Sequence, residues 1–126
     1  MEDIRQIQPL VLAYVGDAVH TLFVRRHFAE SGDYKINELN RMVKEMVNAG
    51  MQCKVFLNLE PSLTEEEHDI AIRARNTAKG QKAKNYSVSE YNHATAFEAL
   101  VGYLYLSGKQ ERLKEILEAS LKEGLC

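Results

Sequence analysis

The sequence predicts an all-α protein, a bundle of helices. Apolar residues recur at three- and four-residue steps along nearly the whole chain, and alternating β-branched runs are few. Only two prolines occur, Pro9 and Pro61, and both fall where a helix would begin or a segment would close. Polar residues with capping-box spacing precede the apolar runs, as in Ser87-Val88-Ser89-Glu90.

Taken in order, Pro9 opens a first helix that should run to about Glu30 and end at Ser31-Gly32. A second starts near Ile36 or Asn37, with Leu39, Met42, Val43, Met46 and Val47 on its apolar side and Val55, Phe56 and Leu59 continuing it. A break near Ala49-Gly50 would divide this segment in two. The methionines read as core filler. Both Ser62 with Glu65 and Thr64 with Glu67 have capping-box spacing, so the acidic run Glu65-Glu66-Glu67 reads as a helix start. The helix opened by Ser87 carries Ala94, Phe97, Val101, Leu104 and Tyr105 as its apolar face and stops at Ser107-Gly108. A last amphipathic helix, from about Lys109 to Glu123, uses Leu113, Ile116, Leu117 and Leu121.

With 126 residues, one domain spanning 1–126 is expected, long enough to bury a core yet small enough to gain from a dimer interface. The net charge of −2 excludes a uniformly basic nucleic-acid binder, so any such function must come from local charge asymmetry. The two cysteines do not make a disulfide framework, and the N-terminus lacks a signal-peptide pattern. A cytoplasmic protein with no membrane association is expected. Cys53 and His68 lack the further ligands a zinc site requires.

Two stretches carry candidate chemistry. In Leu12-Ala13-Tyr14-Val15-Gly16-Asp17-Ala18-Val19-His20, helical spacing aligns Leu10, Ala13, Tyr14, Asp17, Thr21 and Val24. Asp17 thus lies on or beside a face that should be buried, where a charge is costly unless paired or holding a metal. Gly16 beside it implies that something packs closely on that turn. An Asp17 exposed at the edge of the stripe, or salt-bridged, is the plainer alternative. Between residues 73 and 84 lie five basic residues, Arg73, Arg75, Lys79, Lys82 and Lys84, with no acid between Asp69 and Glu90. They form either a solvated basic loop or a phosphate-contacting one, in which Asn76 and Gln81 can bond to sugar or base edges.

Residues 12–19 resemble the signature helix of the ribonuclease III family, Leu-Glu-Phe-Leu-Gly-Asp-Ser/Ala-Val. Ala94-Thr95-Ala96-Phe97-Glu98-Ala99-Leu100-Val101-Gly102-Tyr103-Leu104-Tyr105-Leu106 resembles the family's other acidic helix, Ala-Asp-Thr-Phe-Glu-Ala-Leu-Ile-Gly-Ala-Ile-Tyr-Leu. The two matches stand in the family's order, and the likeness covers nearly the whole chain. It is nearest to the short Mini-ribonuclease III branch, which has the nuclease domain only and a similar Arg-x-Arg-Asn-x-Lys-like loop.

The resemblance implies a ribonuclease III-like endonuclease domain without a double-stranded-RNA-binding domain. It implies a magnesium-dependent endoribonuclease that cuts double-stranded RNA by in-line attack of an activated water, leaving 5′-phosphate and 3′-hydroxyl ends. Asp17 and Glu98 match the family's metal-binding carboxylates and are the expected catalytic residues. Arg73, Arg75, Asn76, Lys79, Lys82 and Lys84 are the expected RNA contacts. Implied partners are a second copy of the chain, across which the duplex lies, precursor 23S (large-subunit) ribosomal RNA, and a ribosomal protein that presents it. The interface would be the apolar part of the first helix left over from the core. Arg25, Arg26 and His27 either flank the RNA valley or are plain surface charges.

The chain departs from the family at three positions. The signature glutamate is Ala13, the aspartate before Glu98 is Thr95, and an earlier acidic position is Leu10. This puts two tightly held metals in doubt, and Thr95 is left to orient a water. His20 has no family counterpart and reads as structural; His93 reads as surface or RNA-facing. A non-catalytic RNA-binding or ribosome-associated module is the main alternative, and a helical protein-interaction domain is a third. Retention of both carboxylates argues against the former, and the basic loop against the latter.

Overall fold

The computed structural model describes residues 3–78 and 85–125, and among these every regular element is helical. The helices are α1 (Pro9–Ser31), α2 (Ile36–Met46), α3 (Ala49–Leu59), α4 (Glu65–Thr77), α5 (Val88–Leu106) and α6 (Gln110–Leu125), with single 3-10 turns at Ile4–Gln6 and Glu60–Ser62. The all-α expectation holds. Among the described residues no helix is long and apolar enough to cross a membrane.

Local chemistry sets the boundaries. Pro9 occupies the first turn of α1, where a missing N–H is harmless. Asn48 divides α2 from α3 because its side chain accepts from the Met51 N–H at 2.9 Å, which makes the anticipated break a helix cap. Thr64 and Glu67 form a reciprocal capping box, as do Ser87 and Glu90. The Ser62–Glu65 alternative does not form: Ser62 donates its hydroxyl to the Leu59 carbonyl inside the 3-10 turn. Glu67 is also buried, and it receives two 2.9 Å hydrogen bonds from the Arg112 guanidinium, tying α4 to α6. Gly108, at φ +71°, takes the left-handed turn that separates α5 from α6.

α5 is the axis of the bundle, with α1, α3, α4 and α6 packed around it. From Ala94 to Leu104 only Glu98 is not fully buried. The expected single apolar face is therefore too narrow, since a helix apolar all round belongs in the middle of a core. Tyr105, assigned to that face, is 55% exposed because it lies beyond the packed stretch. A second, smaller cluster of Val24, Val43 and Met46 joins α1 to α2.

The closest approach is between α1 and α5. A Cβ on Gly16 would collide with the Glu98 carbonyl, and a Cβ on Gly102 with the Leu12 carbonyl. Each helix thus presents a glycine to the other's backbone. This contact rotates the buried stripe of α1 from the one expected: Leu12, Ala13, Gly16, His20 and Val24 are buried, whereas Leu10 and Tyr14 are exposed.

An alanine at Gly16 should gain about 1 kcal/mol of helix propensity. It meets backbone rather than a movable side chain, so overpacking of about 1–3 kcal/mol or more should prevail. Urea unfolding of Gly16→Ala and Gly102→Ala is expected to show lower midpoints for both. A raised midpoint in either would contradict the backbone contact.

Candidate active site

The Gly16–Gly102 crossing determines what stands beside it. Asp17 follows Gly16 on α1, and Glu98 is the residue whose carbonyl Gly16 touches on α5. Their side chains meet at a cavity of about 350 Å³. α1 lines it with Leu10, Ala13, Tyr14 and Asp17, α5 with Tyr91, Thr95 and Glu98, and the end of α4 with Thr77 and Ala78. The two carboxylates and the three positions where the sequence departs from the ribonuclease III pattern, Leu10, Ala13 and Thr95, therefore share one cavity, though they come from segments about eighty residues apart.

The two carboxylates have different surroundings. Asp17 is exposed and lies at the edge of the buried stripe, the plainer of its two expected placements. Glu98 is largely withdrawn from solvent, and its carboxyl is pushed up to about 8. Burial is the main cause, and the charge of Asp17 and a hydrogen bond to it add to the effect. A hydrogen bond from Gln52 works in the opposite sense. At neutral pH Glu98 therefore holds a proton while no cation lies between the two groups.

Behind Glu98 lies a polar pair that sequence reasoning missed in part. His20 is buried, as the structural reading of it requires, and its Nδ1 is 3.1 Å from Nε2 of Gln52, which is also buried. Burial holds the imidazole down to about 4, against a smaller upward pull from Asp17, so the ring is neutral. Gln52 drew no notice in the sequence, where a glutamine on an amphipathic helix reads as solvent-facing. The usable signal was its place among Met51, Cys53, Val55 and Phe56, a run too apolar to leave every polar member outside.

The expected RNA contacts are only partly described. Arg73 donates from Nη1 to the Arg5 carbonyl at 3.0 Å, so it tethers the N-terminal turn in this structure. The Arg75 guanidinium donates to Asn76 Oδ1 at 3.3 Å. Lys79, Gln81, Lys82 and Lys84 lie outside the described residues. Thr77 and Ala78, which lie between Arg75 and Lys79 in the sequence, line the cavity. The Thr95 hydroxyl donates to the Tyr91 carbonyl at 3.0 Å, leaving its oxygen lone pairs as acceptors. His93, half-buried, bonds through Nδ1 to the Ser89 carbonyl at 2.7 Å and packs on Phe56. Arg26 is exposed and pairs with Glu30 at 3.3 Å.

Among the described residues no group of three or more His, Cys, Asp or Glu side chains converges as a metal cage. Asp17 and Glu98 offer a smaller set of hard oxygen donors. Such a pair suits a divalent cation that keeps most of its own waters, and a cation there would offset the burial and the Asp17 charge that together push the Glu98 carboxyl up.

Comparison with known proteins agrees with this geometry. The family model described as "Ribonuclease III domain" matches residues 10–109. The Mini-ribonuclease 3 of Brevibacillus brevis is 49% identical over 110 residues, covering 87% of this chain and 82% of that protein. The Mini-ribonuclease 3 of Symbiobacterium thermophilum is 47% identical over 115 residues, covering 90% and 88%. A crystal structure of a Fusobacterium nucleatum protein superposes with a TM-score of 0.88 at 37% identity, covering 97% of this chain and 98% of its own. On these matches and on the shared cavity of its two acidic helices, the chain belongs to the ribonuclease III family of endoribonucleases, in its Mini-ribonuclease III branch.

Proposed function

We propose that the chain is a magnesium-dependent endoribonuclease that cuts double-stranded RNA as a homodimer and matures precursor 23S ribosomal RNA. The observation that carries this reading is the meeting of Asp17 and Glu98 across one cavity, which Thr77 and Ala78 also line. The Mini-ribonuclease 3 relatives supply the reaction class.

Asp17 and Glu98 would hold the magnesium ion. When bound, magnesium supplies positive charge that polarises a phosphoryl oxygen and makes water a better nucleophile. The chain's own residues do the rest. To serve as a ligand Glu98 would have to be deprotonated, against the burial and the Asp17 charge that push its carboxyl up to about 8. Ala13 and Leu10 add no further negative charge, which leaves room at the cavity for the anionic RNA backbone. Thr95 offers an acceptor oxygen to orient a water, since its proton is committed to Tyr91. Arg75, Asn76 and the basic residues Lys79, Lys82 and Lys84 would bind phosphates and sugars, with Arg73 joining them if it leaves the Arg5 carbonyl. A-form RNA suits such recognition, because its shape and its 2′-hydroxyl and phosphate contacts dominate binding. The products would carry 5′-phosphate and 3′-hydroxyl ends.

The outer face of α1 supports the dimer. Val11, Tyr14 and Leu22 are 47%, 80% and 67% exposed, and with Ala18 they form one stripe at three- and four-residue steps. A second copy related by a two-fold axis would cover this stripe and place two cavities on one duplex, one for each strand. A ribosomal protein presenting the precursor would account for selection of one RNA among many.

Cleavage of a long RNA duplex tests the reading, with wild type and Asp17→Asn assayed in parallel with and without magnesium. Wild type should cut only with the ion. Asp17→Asn should lose at least about a hundredfold in rate, because the charge stabilisation at stake is several kcal/mol, while duplex binding persists. Equal cutting by both proteins, or binding without cutting by either on naked and protein-bound precursor alike, would leave an RNA-binding module instead.

Binding carries its own prediction. Replacing Arg75 and Lys82 by alanine should weaken duplex binding and reduce its salt slope by roughly one unit for each phosphate that is no longer neutralised. An unchanged slope would remove the basic segment from the interface.

A further inference from the structure

Arg73 stands in the sequence among the basic residues expected to meet RNA, yet the structure gives it other neighbours. It does not line the cavity of Asp17 and Glu98. It lines a separate groove along α4 with Glu65, Glu66, Asp69 and Arg5. A phosphate approaching Arg73 there would meet three carboxylates. Two contacts cross this groove to the N-terminal turn, Ile4–Gln6. The Arg73 guanidinium donates from Nη1 to the Arg5 carbonyl at 3.0 Å. The Arg5 side chain lies 3.7 Å from Glu66 and 3.3 Å from Asp3, the residue that caps the turn. Glu66 and Arg73 are two helical turns apart on one face of α4, so Arg5 is fastened to that face at both ends.

The turn depends on this fastening. None of its residues is buried, and Ile4 and Ile7 pack only half-buried against the core. The Arg5 carbonyl has no other hydrogen-bond partner among the described residues, and a bond from a charged donor is stronger than one from a neutral group. The turn leads straight into α1. Gln8, the N-cap there, makes no side-chain capping bond, so the first turn of α1 is held by what precedes it. Leu10 and Ala13, in the opening turns of α1, line the cavity, and α4 reaches the same cavity at Thr77 and Ala78. The Thr77 hydroxyl donates to the Arg73 carbonyl at 2.7 Å. Arg73 thus joins the start of α1, through its guanidinium, to the end of α4, through its main chain. We propose that Arg73 is a positioning residue and not an RNA contact. It straps the N-terminal turn to α4 and so holds the start of α1 at the cavity, with RNA bound or absent. Phosphate recognition then begins at Arg75. The effect on cleavage rests on the endonuclease reading above, whereas the strap itself does not.

The test compares wild type with Arg73→Ala and Arg73→Lys in the full chain, by amide hydrogen exchange, duplex RNA binding across a salt series, and cleavage. The amides of Gln6, Ile7, Val11 and Leu12 report on the strap, because each is hydrogen-bonded in the turn or at the start of α1. In Arg73→Ala they should exchange at least about tenfold faster, while the amides of buried α5 keep their protection and show that the fold is intact. The salt slope of duplex binding should match wild type, where loss of a phosphate contact would lower it by about one. The kcat should fall severalfold with KM for the duplex unchanged. Arg73→Lys, which keeps a charged donor of similar reach, should recover both the protection and kcat. A salt slope lowered by about one in Arg73→Ala would place Arg73 on a phosphate and overturn the proposal. Unchanged exchange in the turn would overturn it as well. So would recovery of kcat in Arg73→Lys while the turn still exchanges fast, since charge alone would then suffice. If wild type neither binds nor cuts the duplex, the ribonuclease reading fails by itself and exchange decides alone. Faster exchange in the turn of Arg73→Ala then supports the strap, and unchanged exchange overturns it.

Discussion

The distance between α1 and α5 is set by two glycines, and the site follows from that distance. Gly16 lies against the Glu98 carbonyl and Gly102 against the Leu12 carbonyl, so each helix runs in the space where the other would carry a Cβ. Any larger residue at either position would push the axes apart. Asp17, one residue beyond the contact, would then lose its place opposite Glu98. The helical bundle around α5 fixes this geometry: α3 and α4 hold α5 from other sides, and the Glu67–Arg112 pair ties α4 to α6.

The close approach has an electrostatic consequence. Two carboxylates share one cavity, and the more buried of them keeps its proton near neutral pH. A resting state with a protonated Glu98 and an exposed, solvated Asp17 is stable enough to fold and still has something to gain from a cation. The absence of acids at Leu10, Ala13 and Thr95 limits that gain to a small donor set. The Gln52 hydrogen bond to Glu98 opposes burial and leans the carboxyl toward its charged, ligating form.

Much of this was legible in the sequence, for identifiable reasons. Helix boundaries were, because Pro9, Asn48, Thr64, Ser87 and Gly108 act through their nearest neighbours. That Asp17 and Glu98 would share one cavity followed from the flanking residues' resemblance to a known pair of helices, and Asp17 also stood out because it and Gly16 break an apolar pattern. What depends on three-dimensional packing was not. The buried stripe of α1 is turned from the expected one because the glycine contact, and not side-chain volume, decides which face meets α5. The full burial of α5 needs four neighbours that no single segment announces. The tether from Arg73 to the Arg5 carbonyl and the buried hydrogen bond between His20 and Gln52 join residues far apart in the chain, so no local spacing could reveal them.

On the function proposed above, the close helix crossing would make Asp17 and Glu98 one cation site whose metal-free form holds a proton on Glu98. Proton release on magnesium binding tests it most directly, by calorimetry at pH 7 in buffers of differing ionisation enthalpy. Glu98, with its carboxyl pushed up to about 8 by burial and by Asp17, should be mostly protonated at pH 7 in the metal-free protein. Magnesium should therefore expel about one proton per site in wild type and none in Glu98→Gln, and Asp17→Asn should bind the ion far more weakly. Magnesium binding with no proton released, or with equal affinity in Asp17→Asn, would contradict the account.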